Sequence, residues 1–261
     1  MESSQITRVA ATPGRLTGRV ALVTGAAQGI GQALATRLAQ DGADVVIAAH
    51  RTPPDDTEAA VKAAGVESLV HHVDVSLEQD VADLAAAIND RFGRVDILVN
   101  NAGAYPTQGF LEMTYEEWRA VFTLNVDSVF HTCRAFVPGM VERGWGRVIN
   151  LSSTSYMEGM AEFSHYNATK AAIVGFTRSL ATEIGPSTVT ANILAPGLIR
   201  TPTTDAVPEA DGMFGGFIAE QALKRTGTPE DLAGAASWLA SEDASFVTGQ
   251  TILVDGGWHF G

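Results

Sequence analysis

Thr24-Gly25-Ala26-Ala27-Gln28-Gly29-Ile30-Gly31 decides the reading of this chain. It follows a short apolar run, Val20-Ala21-Leu22-Val23, and opens a stretch from Ile30 to Ala39 whose apolar positions repeat at helical spacing. A strand, a glycine turn and a helix start are therefore joined without a spacer. Glycines permit a tight turn and let a ligand approach the backbone closely. The helix start adds free N–H groups and positive potential, a combination suited to a pyrophosphate.

The same rhythm extends in both directions. Val45-Val46-Ile47-Ala48 reads as a second strand, Leu69-Val70 with Val73 as a third, and Val95 to Val99 as a fourth. Arg147 to Leu151, Val189 to Leu194 and Thr251 to Val254 supply three more. Helical stretches lie between them: one closing at Ala64, then Leu77–Phe92, Thr114 on to Met140, and Ala168–Ile184. Ser76 with Gln79 and Thr114 with Glu117 have capping-box spacing. Thr228-Pro229-Glu230-Asp231 has the residues of a helix start. Unbroken apolar strands alternating with helices predict an α/β fold, a Rossmann-like doubly wound parallel sheet of about seven strands. No linker interrupts the alternation, so one domain is expected over residues 16–261, after a flexible N-terminal arm, residues 1–15. Residues 201–223 form the longest non-repetitive stretch and are expected to be a substrate lid.

Composition narrows the partners. The chain has 261 residues, 46% of them hydrophobic, and a net charge of −13. That balance leaves no broad basic face for nucleic acid. The single cysteine, Cys133, excludes a disulfide framework and a Cys-rich zinc site; it reads as a small apolar helix residue. The run free of Asp, Glu, Lys and Arg at residues 184–199 contains Pro186 and Pro196 and is short for a bilayer span. Met1-Glu2-Ser3-Ser4 does not begin a secretory signal. A cytoplasmic protein without membrane partners is expected.

Tyr166-Asn167-Ala168-Thr169-Lys170 places a phenol and an ammonium four residues apart, on one face of a helix. With four Tyr and three Lys in the chain, roughly 0.05 such pairs are expected by chance. A nearby cation lowers a phenol's pKa, and the phenol can then exchange a proton with an alcohol or a carbonyl. Ser153 lies thirteen residues earlier, just past the strand ending at Leu151. Asn100-Asn101-Ala102-Gly103 and Pro196-Gly197 follow other strands at the same edge, and Asn125 sits in the next helix.

This set, with Thr-Gly-x-x-x-Gly-x-Gly at its head, resembles the short-chain dehydrogenase/reductase family (the ~250-residue type) over about residues 16 to 258. The resemblance implies that Tyr166 is the general acid/base and that Lys170 binds the nicotinamide ribose and depresses the pKa of Tyr166. It implies that Ser153 polarises the substrate oxygen and that Asn125 holds a water relaying protons to Lys170. Asn100 and Asp74 would line the adenosine half, and Thr201 would receive the carboxamide. Gly25, Gln28, Gly29, Ile30, Gly31, Val75, Asn101, Ala102, Gly103, Pro196, Gly197 and Ile199 would line the rest of the cofactor. No metal is needed. Phe136 to Met140, Gly144 to Arg147 and the tail from Asp243 to Thr251 are similar to bacterial 1-phenylethanol-type secondary alcohol dehydrogenases, which are NAD enzymes with an acidic residue after the second strand.

At that position this chain carries Ala49, then His50 and Arg51. Loss of the carboxylate removes repulsion of a 2′-phosphate, and Arg51 can bind one through its planar fork. NADP(H) is thus the preferred cofactor and NAD(H) the alternative, although Gln28 stands where many NADP-dependent members carry a basic residue. Tyr105, Ser153, Tyr156, Met157, Leu198, Met213, Phe214 and Phe217 are the expected substrate-binding residues. They are mostly apolar, which favours a hydrophobic, aryl or cyclic alcohol or ketone. A polar ring or steroid substrate, or a silent dinucleotide-sensing module, is the alternative. His71 and His72 should point to opposite faces of a strand, and His165 sits at the rim or on the surface. Trp258 and Phe260 are expected to bury against a neighbouring subunit, in the homotetramer that the resemblance implies.

Overall fold

The computed structural model describes residues 14–207 and 210–260. Of the expected N-terminal arm, residues 1–13 lie outside that range, and Arg15 pairs with Asp243 at 3.3 Å. The chain folds as β1 (Val20–Thr24), α1 (Gly29–Gln40), β2 (Asp44–Ala49), α2 (Asp55–Ala63), β3 (Ser68–His72), α3 (Glu78–Phe92) and β4 (Ile97–Asn100). The second half runs α4 (Tyr115–Phe122), a π-helical turn (Thr123–Asp127), α5 (Ser128–Arg143), β5 (Gly146–Leu151), α6 (Ser155–Glu158), α7 (Ser164–Ile184) and β6 (Val189–Pro196). It closes with α8 (Pro202–Asp205), α9 (Ala210–Glu220), α10 (Pro229–Ala240) and β7 (Thr251–Val254).

The strands form one seven-stranded sheet in the order β3-β2-β1-β4-β5-β6-β7, with every pair parallel. Every residue of β1, β4, β5 and β6 is buried, as the unbroken apolar runs require. One face of the sheet packs Leu34, Leu38 and Leu232 of α1 and α10. The other packs Leu84, Phe136 and Ile173 of α3, α5 and α7. Each such side chain contributes roughly 1.5–3 kcal/mol on burial. Strand order reverses between β1 and β4. A crevice therefore opens beyond their carboxyl ends, which is where doubly wound sheets hold ligands.

Two expected caps form. Thr114 Oγ1 accepts from the Glu117 N–H at 3.2 Å, and Glu117 Oε2 accepts from the Thr114 N–H at 2.8 Å. Asp231 Oδ2 accepts from the Thr228 N–H at 2.9 Å. The expected Ser76/Gln79 box does not form. Both the N–H and the hydroxyl of Ser76 donate to Asp74 Oδ1, at 3.0 and 2.6 Å. A carboxylate two residues back is a stronger acceptor and competes for the same groups.

The helix expected from Thr114 to Met140 is also interrupted. A π turn at Thr123–Asp127 separates α4 from α5, and fully buried Asn125 sits inside it. In the other direction, α7 starts at Ser164, earlier than expected, so Tyr166 lies within its first turn. Cys133 is buried inside α5, and that burial raises its thiol pKa to about 12. Among the described residues no helix is long and apolar enough to cross a membrane.

Candidate active site

The glycine loop is shaped by contacts that leave no room for side chains. Gly25 and Gly29 have φ of +63° and +58°, a region that L side chains rarely adopt. A Cβ on Gly31 would lie 2.3 Å from the Gly25 carbonyl oxygen and 2.6 Å from Asn101 Nδ2. Asn101 ties this loop to the end of β4 by donating from Nδ2 to the Thr24 and Gly25 carbonyls, at 2.9 and 3.1 Å. Thr24 Oγ1 accepts from the N–H groups of Asn101 and Ala102, both at 3.0 Å.

Asn100 departs from expectation. Its side chain turns away from the cleft, donating to Asn150 Oδ1 at 2.8 Å and accepting from Thr132 Oγ1 at 2.7 Å. A strand side chain that faces the helix layer cannot also reach the crevice. Asn101, one residue on, makes the contact to the glycine loop.

Two cavities meet at this loop. The larger, about 640 Å³, is bounded by Gly25, Gln28, Ala49, His50, Arg51, Asp74, Val75 and Ser76. His50 Nε2 lies 3.8 Å from Asp74 Oδ2. Burial raises the pKa of Asp74, but the hydrogen bonds from Ser76 and the charges of His50 and Arg51 outweigh it and hold the carboxyl below its ordinary value.

The smaller cavity, about 230 Å³, is lined by Gly29, Ile30, Gly103, Tyr105, Tyr166, Lys170, Pro196 and Thr201. Thr201 caps α8 and stands over the loop: a Cβ on Gly29 would be 3.4 Å from it. Gln28 Nε2 reaches Thr203 Oγ1 of the same helix at 3.5 Å.

Tyr166 and Lys170 line this second cavity, with Ser153 hydrogen-bonded to Tyr166 and Asn125 buried behind it. Ser153 follows β5, and its Oγ accepts from the Ser155 N–H at 3.2 Å. Lys170 is buried and donates from Nζ to the Leu151 carbonyl at 3.0 Å, with Nζ 5.6 Å from the Tyr166 ring centre. Burial pulls its pKa down to about 8. Burial also pushes the Tyr166 phenol up to about 12, opposed by the Ser153 hydroxyl and reinforced by Tyr105. The expected depression of Tyr166 by Lys170 is thus not what the protein alone produces. The ammonium is spent on a backbone carbonyl, and desolvation of the phenol prevails.

Asn125 is engaged on every side. Its Oδ1 accepts from the Ala104 N–H and its Nδ2 donates to the Ala104 carbonyl, both at 2.9 Å, and Nδ2 also donates to Thr169 Oγ1 at 3.1 Å. It clamps the loop after β4 next to Lys170. The π turn is the backbone deviation that turns it there.

The expected substrate residues scatter. Tyr105 stacks edge-on against Tyr166 with ring centres 6.1 Å apart, and Phe163 does so from another side at 5.9 Å. Tyr156 packs instead on Val174, Ile193 and Ala195. Met157 is exposed. Phe214 is buried beneath the guanidinium of Arg200, whereas Met213 beside it on α9 is half-buried. Leu198 lines a third cavity, about 390 Å³, between Gln221 and Gly256. Gly197 sits against Asp255: a Cβ there would be 2.7 Å from the aspartate Cβ.

His165, expected at the rim or surface, is buried, and burial lowers its pKa against the pull of Glu117. Trp258 is half-buried and packs within its own chain. Its ring meets Phe217 at 4.6 Å, and Nε1 donates to Glu220 at 3.1 Å. Phe260 is exposed. Thr24, Thr203 and the Leu151 carbonyl were not foreseen as site groups. Two are common surface-type hydroxyls and one is backbone, so residue type carried no signal.

A glycine cradle that any Cβ would fill, beside a helix N-terminus and a buried phenol–ammonium pair, fits a nicotinamide dinucleotide. The family model described as "Enoyl-(Acyl carrier protein) reductase" matches residues 25–259. "Dehydrogenase/reductase SDR family member 4" of Oryctolagus cuniculus is 38% identical over 259 residues, covering 98% of each chain. "D-beta-hydroxybutyrate dehydrogenase" of Rhizobium meliloti is 34% identical over 92% of this chain and 98% of its own. The crystal structure of 3-oxoacyl-[acyl-carrier protein] reductase from Brucella melitensis superposes with a TM-score of 0.89 at 36% identity, covering 100% of this chain and 99% of that one. None of these names concerns 1-phenylethanol. The protein belongs to the short-chain dehydrogenase/reductase family of NAD(P)(H)-linked oxidoreductases.

Proposed function

We propose that the protein interconverts a hydrophobic secondary alcohol, aryl or cyclic, and its ketone, with Tyr166 as the acid/base. The observation that carries this reading is the half-buried Tyr166 ring, flanked by the rings of Tyr105 and Phe163 and with Ser153 as its hydrogen-bond partner. An apolar collar excludes water and favours a carbonyl flanked by carbon. Ser153 aligns the substrate oxygen while Tyr166 gives it a proton in reduction or takes one in oxidation. Lys170 and Asn125 hold the loop and the proton path behind it. A bound nicotinamide supplies the hydride exchange, and the glycine loop, Asp74, Asn101 and Thr201 would hold its dinucleotide.

For the cofactor we infer a preference for NADP(H). Ala49 offers no carboxylate at the end of β2, and His50 and Arg51 line the open cavity there. A second reading, a short 3-hydroxy acid, draws on the printed name of the Rhizobium relative. A phosphate-bearing thioester carrier fits less well. The Arg200 guanidinium near the rim is taken by Asp205 and Asp211 at 2.9 and 2.8 Å.

A panel of aryl, cyclic and 3-oxo carbonyls, assayed with NADPH and NADH, tests the reading. Aryl or cyclic ketones should be the best substrates. Tyr166→Phe should lower kcat roughly 10²–10⁴-fold. Undiminished activity in the variant would refute the acid/base role.

A further inference from the structure

The residues after β7 are tied to α9, which follows β6, and to α6, which follows Ser153, and none of these ties belongs to the machinery described above. Gly256 and Gly257 turn the chain with φ of +69° and +75°. Their carbonyls accept from the N–H groups of Leu223 and Ala222, at 2.8 and 3.1 Å, which fastens the tail just beyond α9. Trp258 adds its ring on Phe217 and its hydrogen bond to Glu220, both on α9.

His259 reaches the other way. Its Nδ1 lies 3.1 Å from Asp255 Oδ2, and its Nε2 lies 2.5 Å from Glu158 Oε1 at the end of α6. The ring is 9% exposed, and Asp255 is 4% exposed. Asp255 is itself fixed, accepting from the N–H groups of Gly257 and His259 at 3.0 and 2.9 Å and standing against Gly197. A neutral imidazole has one N–H, so both contacts become donated hydrogen bonds in the doubly protonated ring.

We propose that the tail is an intramolecular strap across the substrate entrance, with His259 as the positioning residue that couples α6 to α9 and so sets which ketones fit. The proposal rests on the carbonyl-reductase reading. It acts on the rim rather than on the chemistry, because Ser153 is secured independently of Glu158. Thr154, next to it, donates to the Pro196 carbonyl through both its N–H, at 3.0 Å, and its Oγ1, at 3.3 Å. Loosening the strap should therefore free the end of α6 and its exposed Met157 while leaving the catalytic serine in place. The dinucleotide cavity, at the β1–β2 end, contains none of these residues.

The test uses the full chain with His259→Ala, Glu158→Gln and the double variant. Expected for His259→Ala are a KM for a compact aryl ketone raised about fivefold, kcat within twofold, and unchanged Kd for the dinucleotide. The kcat/KM ratio between bulky and compact ketones should shift toward the bulky one by a similar factor. The double variant should add little to either single change, since both break one link. Unchanged ratios, or additive effects, would overturn the strap. Hydrogen exchange separates this from failure of the functional reading, because it needs no substrate. Amides of residues 155–158 and 210–220 should exchange faster in His259→Ala whatever the enzyme reduces. Equal exchange in both proteins would overturn the coupling.

Discussion

At the β1–β2 end, the cleft is wide, about 640 Å³, and its walls carry exposed charge from His50 and Arg51 beside Asp74. At the β5–β6 end it narrows to about 230 Å³, and of its titratable groups Lys170 is buried and Tyr166 half-buried, its phenol desolvated. Charge at the first end is solvated and cheap to hold, so it can discriminate one anion from another but contributes little to stability. Charge at the second end is desolvated. The fold works against it, and that opposition tunes acid strength where a proton must move. One sheet edge thus holds recognition and chemistry in two dielectric settings.

The largest effect expected from this contrast is on stability at the buried end. Lys170 has a folded pKa of about 8 against an ordinary value of 10.5. Between those values the unfolded chain holds a proton that the folded one has released, so raising the pH stabilises the fold across that window. The gain is on the order of 3 kcal/mol at most. Cys133 and Tyr166 act in the opposite sense at higher pH, because burial raises both to about 12. Comparison with Lys170→Met removes their contribution. Denaturant titrations from pH 7.5 to 10 should show wild type gaining stability relative to the variant as pH rises. Parallel curves would mean the ammonium is not desolvated, and the contrast between the two ends would fail.

A smaller effect is expected where the two ends join. Gly31→Ala forces a methyl against the Gly25 carbonyl and the Asn101 amide, both rigid neighbours. Such overpacking costs about 1–3 kcal/mol. It falls on the loop that both cavities share, so dinucleotide affinity should drop roughly 10–100-fold. Isothermal titration of the cofactor checks this, with melting temperature as the control for global damage. Retained affinity would show that the cradle yields, and that the close approach at Gly31 does not shape the ligand site.

The same division explains what the sequence disclosed. The seven strands, their order of appearance and the glycine loop were legible because apolar runs and glycines answer to local backbone physics. Ser153, Tyr166, Lys170 and Asn125 were legible as residue types at fixed spacing; the fold sets Tyr166 and Lys170 on one cavity, with Ser153 hydrogen-bonded to Tyr166 and Asn125 buried on the Ala104 peptide. Three features were not. Asn100 and Asn101 are chemically identical neighbours, and only strand register decides which one faces the cleft. The π turn at Asn125 is set by the Ala104 peptide, twenty-one residues away in sequence. The rim depends on tertiary pairs such as Trp258 with Phe217 and His259 with Glu158, separated by far more chain than any periodicity spans.

The smallest effect is at the exposed end, on cofactor choice. Arg51 is exposed at the mouth of the larger cavity, with Asp74 the nearby carboxylate that its charge acts upon. A 2′-phosphate would compete for Arg51 with Asp74, which already has His50 at 3.8 Å and two hydrogen bonds from Ser76. Because Asp74 is served by other groups, Arg51 can turn outward at little cost. Its gain in solvent is limited, since exposed charge pairs are screened. Arg51→Ala should therefore reduce the NADP/NAD ratio of kcat/KM by roughly tenfold, equivalent to about 1.4 kcal/mol, and leave kcat with NAD nearly unchanged. The deficit should shrink as salt rises from 20 to 300 mM, since screening already weakens the wild-type contact. A ratio that does not move would assign the phosphate to His50 or to the loop backbone. A ratio that moves without any salt dependence would mean that Arg51 binds in a desolvated pocket, and the open end would then resemble the buried one.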